Sequence, residues 1–196
     1  MELILVRHGE TAWNRSRTIQ GCRSETELSA VGEEQAARVA GWAAGRGLDA
    51  LYSSPLKRAL DTAWLIGRAS GLDVEIAPGE LEGLCADDMG EEHKGFWRAW
   101  RDGKLHVPLP GGESLEEVQR RAWAEIEGIL SKHAEQRVVV VAHFFPILAV
   151  ICRALGIELA NTARMRLEPG SVSALDLSPD TSCLLLFNDM CHLGHG

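Results

Sequence analysis

A chain of 196 residues, 45% hydrophobic and 24% charged, can bury a substantial core and is expected to form one domain over 1–196. Its net charge of -8 argues against a nucleic-acid binder, which would carry a basic face. No apolar run reaches membrane-spanning length and no signal-like segment stands at the start, so a cytoplasmic protein without membrane association is expected.

Strands are predicted at residues 2–7, 49–53, 73–76, 137–142, 171–177 and 182–188. The first ends abruptly in Arg7, His8 and Gly9. A helix follows over 30–46, where alanines precede Gly45 and Gly47. The next, 56–70, has Pro55 as a first-turn residue and stops at Gly71. Residues 83–112 read as an irregular, lid-like insertion bearing Asp87, Asp88, His93, Phe96, Trp97 and Trp100. Over 114–134, Leu115, Val118, Ala122, Ile126 and Ile129 form one apolar stripe. Ser114 and Glu117 ahead of it have the spacing of a capping box. The run Arg137-Val-Val-Val-Val-Ala142 suits a central strand covered on both faces. Strands alternating with helices indicate an α/β fold with a largely parallel sheet.

Five cysteines (Cys22, Cys85, Cys152, Cys183 and Cys191) without paired spacing fit reduced thiols better than a disulfide framework. Cys191, His192 and His195 have metal-ligand chemistry, but a frayed, solvated tail accounts for them better.

In open α/β proteins, ligands bind at the carboxyl ends of the strands. Four candidate groups fall there: Arg7 with His8, Arg58 just after Ser53-Ser54-Pro55, Glu82, and His143. Guanidinium groups grip phosphate oxygens with paired donors, and a helix start adds unpaired N–H groups. One neutral imidazole can attack phosphorus while the other, protonated, stabilises charge. A carboxyl group can protonate a leaving alkoxide and then deprotonate water, which makes Glu82 the acid–base candidate. Taken singly, each residue has an ordinary structural explanation.

Their order on the chain is more specific. Leu5-Val-Arg7-His8-Gly9-Glu10-Thr11 with Asn14 resembles the signature of the histidine phosphatase superfamily, the phosphoglycerate mutase-like group. Gln20-Gly21, Leu28-Ser-Ala-Val-Gly32, Ser53-Ser54-Pro55-Leu56-Lys57-Arg58-Ala59, Pro110-Gly-Gly-Glu113-Ser114 and Val140-Val-Ala-His143 follow in the family's order. The resemblance implies a three-layer α/β/α sandwich with no metal or other cofactor. It makes His8 the phosphorylated nucleophile, Glu82 the proton donor, and Arg7, Arg58 and His143 the phosphate pocket. Asn14 and Gln20 are further substrate contacts on that reading, and Phe144, where the family usually has glycine, still offers its backbone N–H to phosphate.

The implied activity is hydrolysis of a small phosphomonoester by a monomer or homodimer. Relatives acting on α-ribazole phosphate are similar in length and motif order. Mutase-type phosphoryl transfer and a non-catalytic binding protein of the same fold are the alternatives. Three departures bear on the site: Phe144-Phe145 replaces the usual Gly-Gly, which suggests a different loop path. Cys85 to Gly90 replaces an aromatic- and glycine-rich lid motif, and no Asp-x-Pro precedes Leu28. The aromatics Phe144, Phe145, Trp97 and Trp100 could face a heterocyclic substrate or simply close a small core of their own.

Overall fold

The computed structural model describes residues 1–15, 25–77, 81–82, 93–104, 108, 112–178 and 181–194. Six strands form one sheet: β1 (Glu2–Arg7), β2 (Ala50–Ser53), β3 (Val74–Ile76), β4 (Arg137–Ala142), β5 (Val172–Leu177) and β6 (Ser182–Asp189). Their order is β3-β2-β4-β1-β5-β6. The first four strands in that order run parallel, and β5 and β6 add an antiparallel edge. All six lie within a residue or two of their predicted spans.

The side-chain alternation of a strand explains the layers. On β1 and β4, Leu3, Leu5, Val138 and Val140 face one core, which contains Ile126 and Ile129 of α5 (Leu115–Lys132). Ile147 and Ile151 of α6 (Phe144–Ala154) join that core. Ile4, Val6, Val139 and Val141 face the opposite core. There they meet Val39 and Ala43 of α2 (Ala30–Ala43), which follows the short α1 (Ala12–Arg15), and Ala59, Ala63 and Ile66 of α3 (Lys57–Ser70). Covering both faces of the sheet gives the three-layer arrangement. The capping box of α5 is formed, with Ser114 and Glu117 each satisfying a backbone N–H of the other.

Three local readings change. Within the 83–112 segment, residues 93–101 form a helix, α4 (His93–Arg101), so the stretch is not irregular throughout. Its Phe96 and Trp100 are buried against Leu115, Val118, Phe145, Ala149, Cys152 and Leu159. Pro55 precedes α3 instead of opening it. The chain after β6 is not frayed: a short 3-10 helix (Cys191–Leu193) buries Leu193, and His192 Nε2 donates to the Gly170 carbonyl at 2.9 Å. No group of three metal-ligating side chains occurs among the described residues, and His195 lies outside them. Among the described residues, no helix is long and apolar enough to cross a membrane.

Candidate active site

Strand register brings the candidate residues together. Arg7 pairs with Ala142 across β1 and β4, so His8 and His143 leave the sheet side by side. Neighbouring strands lie about 4.8 Å apart, and the two imidazole centroids are 5.0 Å apart, tilted by 58°. Ser53 pairs with Val141 across β2 and β4, which sets Ser54 beside Ala142 and close to His143. Ser54 N–H donates to the Val141 carbonyl at 3.0 Å.

His8 is 2% exposed. Its Nδ1 lies 2.7 Å from the Gly9 carbonyl, an acceptor only, so Nδ1 carries the proton. Nε2 is left with its lone pair. Burial, then the charges of Arg58 and Arg7, hold the His8 pKa well below its usual value, against the opposing Gly9 hydrogen bond. The ring is neutral near pH 7, as a nucleophile must be.

The loop carrying His8 is seated on the head of α2. A Cβ on Gly9 would stand 2.3 Å from the Gly32 carbonyl oxygen, and one on Gly32 would stand 2.0 Å from the Glu10 carbonyl oxygen. Two glycines therefore permit a backbone contact that no other residue type fits. Glu10 N–H donates to Gln35 Oε1 at 2.8 Å, and Ser29, the α2 N-cap, donates through Oγ to Glu10 Oε1 at 2.8 Å. Gly9 N–H donates to Thr62 Oγ1 at 3.2 Å, and Thr62 donates to the Arg58 carbonyl at 2.9 Å. Gly170 N–H closes the other side, donating to the Arg7 and His8 carbonyls at 3.0 and 3.1 Å.

Arg58, the second residue of α3, is 2% exposed. Arg7 donates through Nη1 to the Leu167 carbonyl, while its buried Nε has no hydrogen-bond partner. Burial lowers the Arg7 pKa to about 10, with Glu168 raising it and Arg58 lowering it, so Arg7 remains a cation near pH 7. His143 is 4% exposed, its Nε2 is 2.8 Å from Ser54 Oγ, and its buried Nδ1 has no hydrogen-bond partner. Its pKa is also held well below the usual value, first by burial and then by Arg58, His8, Arg7 and Arg121. The expectation of a protonated second imidazole is therefore not met in the free protein: burial and the neighbouring arginine charges oppose it. Two cations and two imidazoles clustered in this way are chemically matched to a phosphoryl dianion.

Phe144 opens α6, with His143 as N-cap. Asn188 is the one described residue other than glycine with positive φ, so Phe144 and Phe145 do not adopt a left-handed backbone. Pro146 lacks an N–H, so the backbone N–H groups of that first turn come from Phe144 and Phe145. Phe144 is half-buried, its ring 5.3 Å from the Arg7 guanidinium carbon and 6.1 Å from Trp100. Phe145 and Trp100 belong to the small core under α4, with Trp100 Nε1 donating to Thr162 Oγ1 at 3.0 Å. The Trp97 side chain lies outside the described part.

Glu82 is half-buried. Its backbone carbonyl accepts from Arg121 Nη2 at 3.0 Å, and Arg121 is paired through Nε and Nη2 with the Glu113 carboxylate at 2.7 and 3.0 Å. Neither Arg121 nor Glu113 stood among the predicted site residues. An arginine directly before Ala122 on the buried stripe of α5 was the available signal. Asn14 Oδ1 accepts from the Thr11 N–H at 2.9 Å and the Thr11 hydroxyl at 3.1 Å, so it organises the loop after His8. Gln20 and the Asp87-Asp88 pair lie outside the described residues.

Fold and site together define an α/β protein with a buried cluster of arginines and imidazoles at the carboxyl edge of its sheet. A family model described as "Histidine phosphatase superfamily (branch 1)" matches residues 3–190, and the chain belongs to that superfamily. It is a phosphatase of the phosphoglycerate mutase-like fold. It is 34% identical to Phosphoserine phosphatase 1 of Hydrogenobacter thermophilus, over 99% of this chain and 95% of that protein. It is also 34% identical to a probable phosphoglycerate mutase, GpmB, of Salmonella paratyphi B, over 90% of this chain and 85% of the other. Among solved structures, a mycobacterial glucosyl-3-phosphoglycerate phosphatase bound to vanadate superposes with a TM-score of 0.87 at 27% identity. That match covers 96% of this chain and 99% of the other.

Proposed function

We propose that this protein is a metal-independent phosphomonoester hydrolase working through a phosphohistidine on His8, a single domain over 1–196 acting on a small cytoplasmic metabolite. The observation that carries this reading is the neutral His8, whose Nδ1–H is bound to the Gly9 carbonyl while Nε2 keeps its lone pair among Arg7, Arg58 and His143.

His8 Nε2 attacks phosphorus, the P–O ester bond breaks, and the Glu82 carboxyl gives its proton to the departing alkoxide. The Glu82 carboxylate then takes a proton from water, the hydroxyl attacks the phosphohistidine, and the P–N bond breaks. Inorganic phosphate leaves and His8 returns to its neutral form. Arg7 and Arg58 hold the phosphoryl oxygens throughout, and His143 adds a donor. The half-buried Phe144 ring beside Arg7 forms the apolar wall of the pocket. Asn14 and Gln20 are the remaining proposed substrate contacts.

Phosphoserine, named for the Hydrogenobacter relative, and α-ribazole phosphate are the first substrates to compare. The Salmonella relative supports a second reading, phosphoryl transfer between phosphoglycerates. Hydrolysis of p-nitrophenyl phosphate in EDTA, with His8→Ala alongside, tests the first. Turnover that survives the chelator and disappears in the variant is expected. Loss of turnover on chelation, or its survival in His8→Ala, contradicts the mechanism. Transfer to an added phosphoglycerate acceptor in place of release to water would select the second.

A further inference from the structure

We infer that Ser54 is a positioning residue that fixes His143 as the neutral Nδ1–H tautomer, making it a hydrogen-bond donor aimed at the phosphoryl group; this rests on the hydrolase reading above. Among the described residues, Ser54 Oγ has two neighbours that can bond it: the Leu56 N–H at 3.4 Å and His143 Nε2 at 2.8 Å. Leu56 can only donate. A hydroxyl has one proton to give, and Ser54 is fully buried. If His143 Nε2 also donated, the Ser54 proton would have no acceptor, and a buried unsatisfied donor is costly. The Ser54 O–H therefore donates to Nε2, and the ring proton resides on Nδ1. The serine backbone is held by its N–H to Val141 and by Ser53 Oγ donating to its carbonyl at 2.9 Å.

Among the described residues, the buried Nδ1 is the ring atom left without a hydrogen-bond partner. On the opposite assignment Nδ1 would be a lone pair facing an anion's oxygens, a repulsive contact. Burial and the charges of Arg58, Arg7 and Arg121 oppose a second ring proton, in accord with a neutral donor. His8 and His143 are thus both neutral and both carry the proton on Nδ1, but they present opposite ends. His8 offers a lone pair, His143 an N–H.

NMR of the intact protein with isotope-labelled histidine, near neutral pH and without ligand, tests this. Wild type should show His143 protonated on Nδ1 alone. Ser54→Ala should lose that fixed tautomer and bind orthovanadate about tenfold more weakly, and Ser54→Thr should restore both. An Nε2–H or doubly protonated His143 in wild type, or an unchanged tautomer in Ser54→Ala, overturns the proposal. The wild-type spectrum decides the assignment even where a variant does not fold. The tautomer is read without substrate, so its failure leaves the hydrolase reading standing. Absent turnover with the tautomer in place strikes that reading alone.

Discussion

His8 and Arg58 are almost completely removed from water, and burial of such groups is costly unless they are used or satisfied. Replacing Arg58 by Ala removes a preformed charge at the phosphoryl oxygens and should lower kcat about 10²- to 10³-fold in steady-state kinetics. Glu82→Gln keeps shape and removes the proton, and a loss of about 10²- to 10⁴-fold is expected. That loss should shrink for an activated aryl phosphate, whose leaving group needs less protonation; equal losses on alkyl and aryl esters would remove Glu82 from the acid's role. Because burial and two arginines depress the His8 pKa, the ring stays neutral below its usual titration range. The acid limb of kcat/KM should accordingly lie below pH 6.5, the ordinary value of a histidine imidazole. A limb at that ordinary value would show that His8 is not the depressed group.

The loop after β1 works as part of a larger unit that includes the first turn of α2 and the Thr62 face of α3. Gly9→Ala places a methyl 2.3 Å from the Gly32 carbonyl oxygen, so loop and helix must separate. Overpacking of this kind costs about 1–3 kcal/mol, measurable by urea unfolding, and should lower activity as well because His8 moves with the loop. The α4 helix is anchored by Trp100 against Phe145 and Thr162. Trp100→Ala should cost about 3–5 kcal/mol on the same assay.

Both α4 and α6 were harder to read from sequence than α2, α3 and α5. In α6, Phe145 to Cys152 is buried without interruption, so it has no polar face to give a helical period. The α4 run is short, with glycine and three aromatics, and its partner residues come from α5, α6 and the 3-10 helix Leu159–Arg164, distant in sequence. By contrast, the α5 stripe and its capping box are local signals, and the structure repeats them.

Across the whole molecule, the sheet register decides the site. Arg7, His8, Arg58 and His143 could be named from motifs and strand ends alone. The seating of His8 against Thr62, Gly32 and Gly170 could not, since each contact joins residues from different elements. Register also creates a stability cost. Two buried histidines with depressed pKa values bind fewer protons folded than unfolded. Stability therefore is full above the ordinary histidine range and falls as pH drops below it, by up to about 1.4 kcal/mol per pH unit for each ring. His8→Phe should flatten the pH dependence of the melting temperature on the acid side; an unchanged slope would place the cost elsewhere.

The most direct test of the central claim is to trap the intermediate. A phosphoryl-labelled substrate, mixed rapidly with enzyme and quenched in alkali, should leave label on the peptide containing His8, formed and lost at rates consistent with turnover, and none in His8→Ala. Steady turnover with no labelled peptide, or label on another residue, would contradict a phosphohistidine at this position.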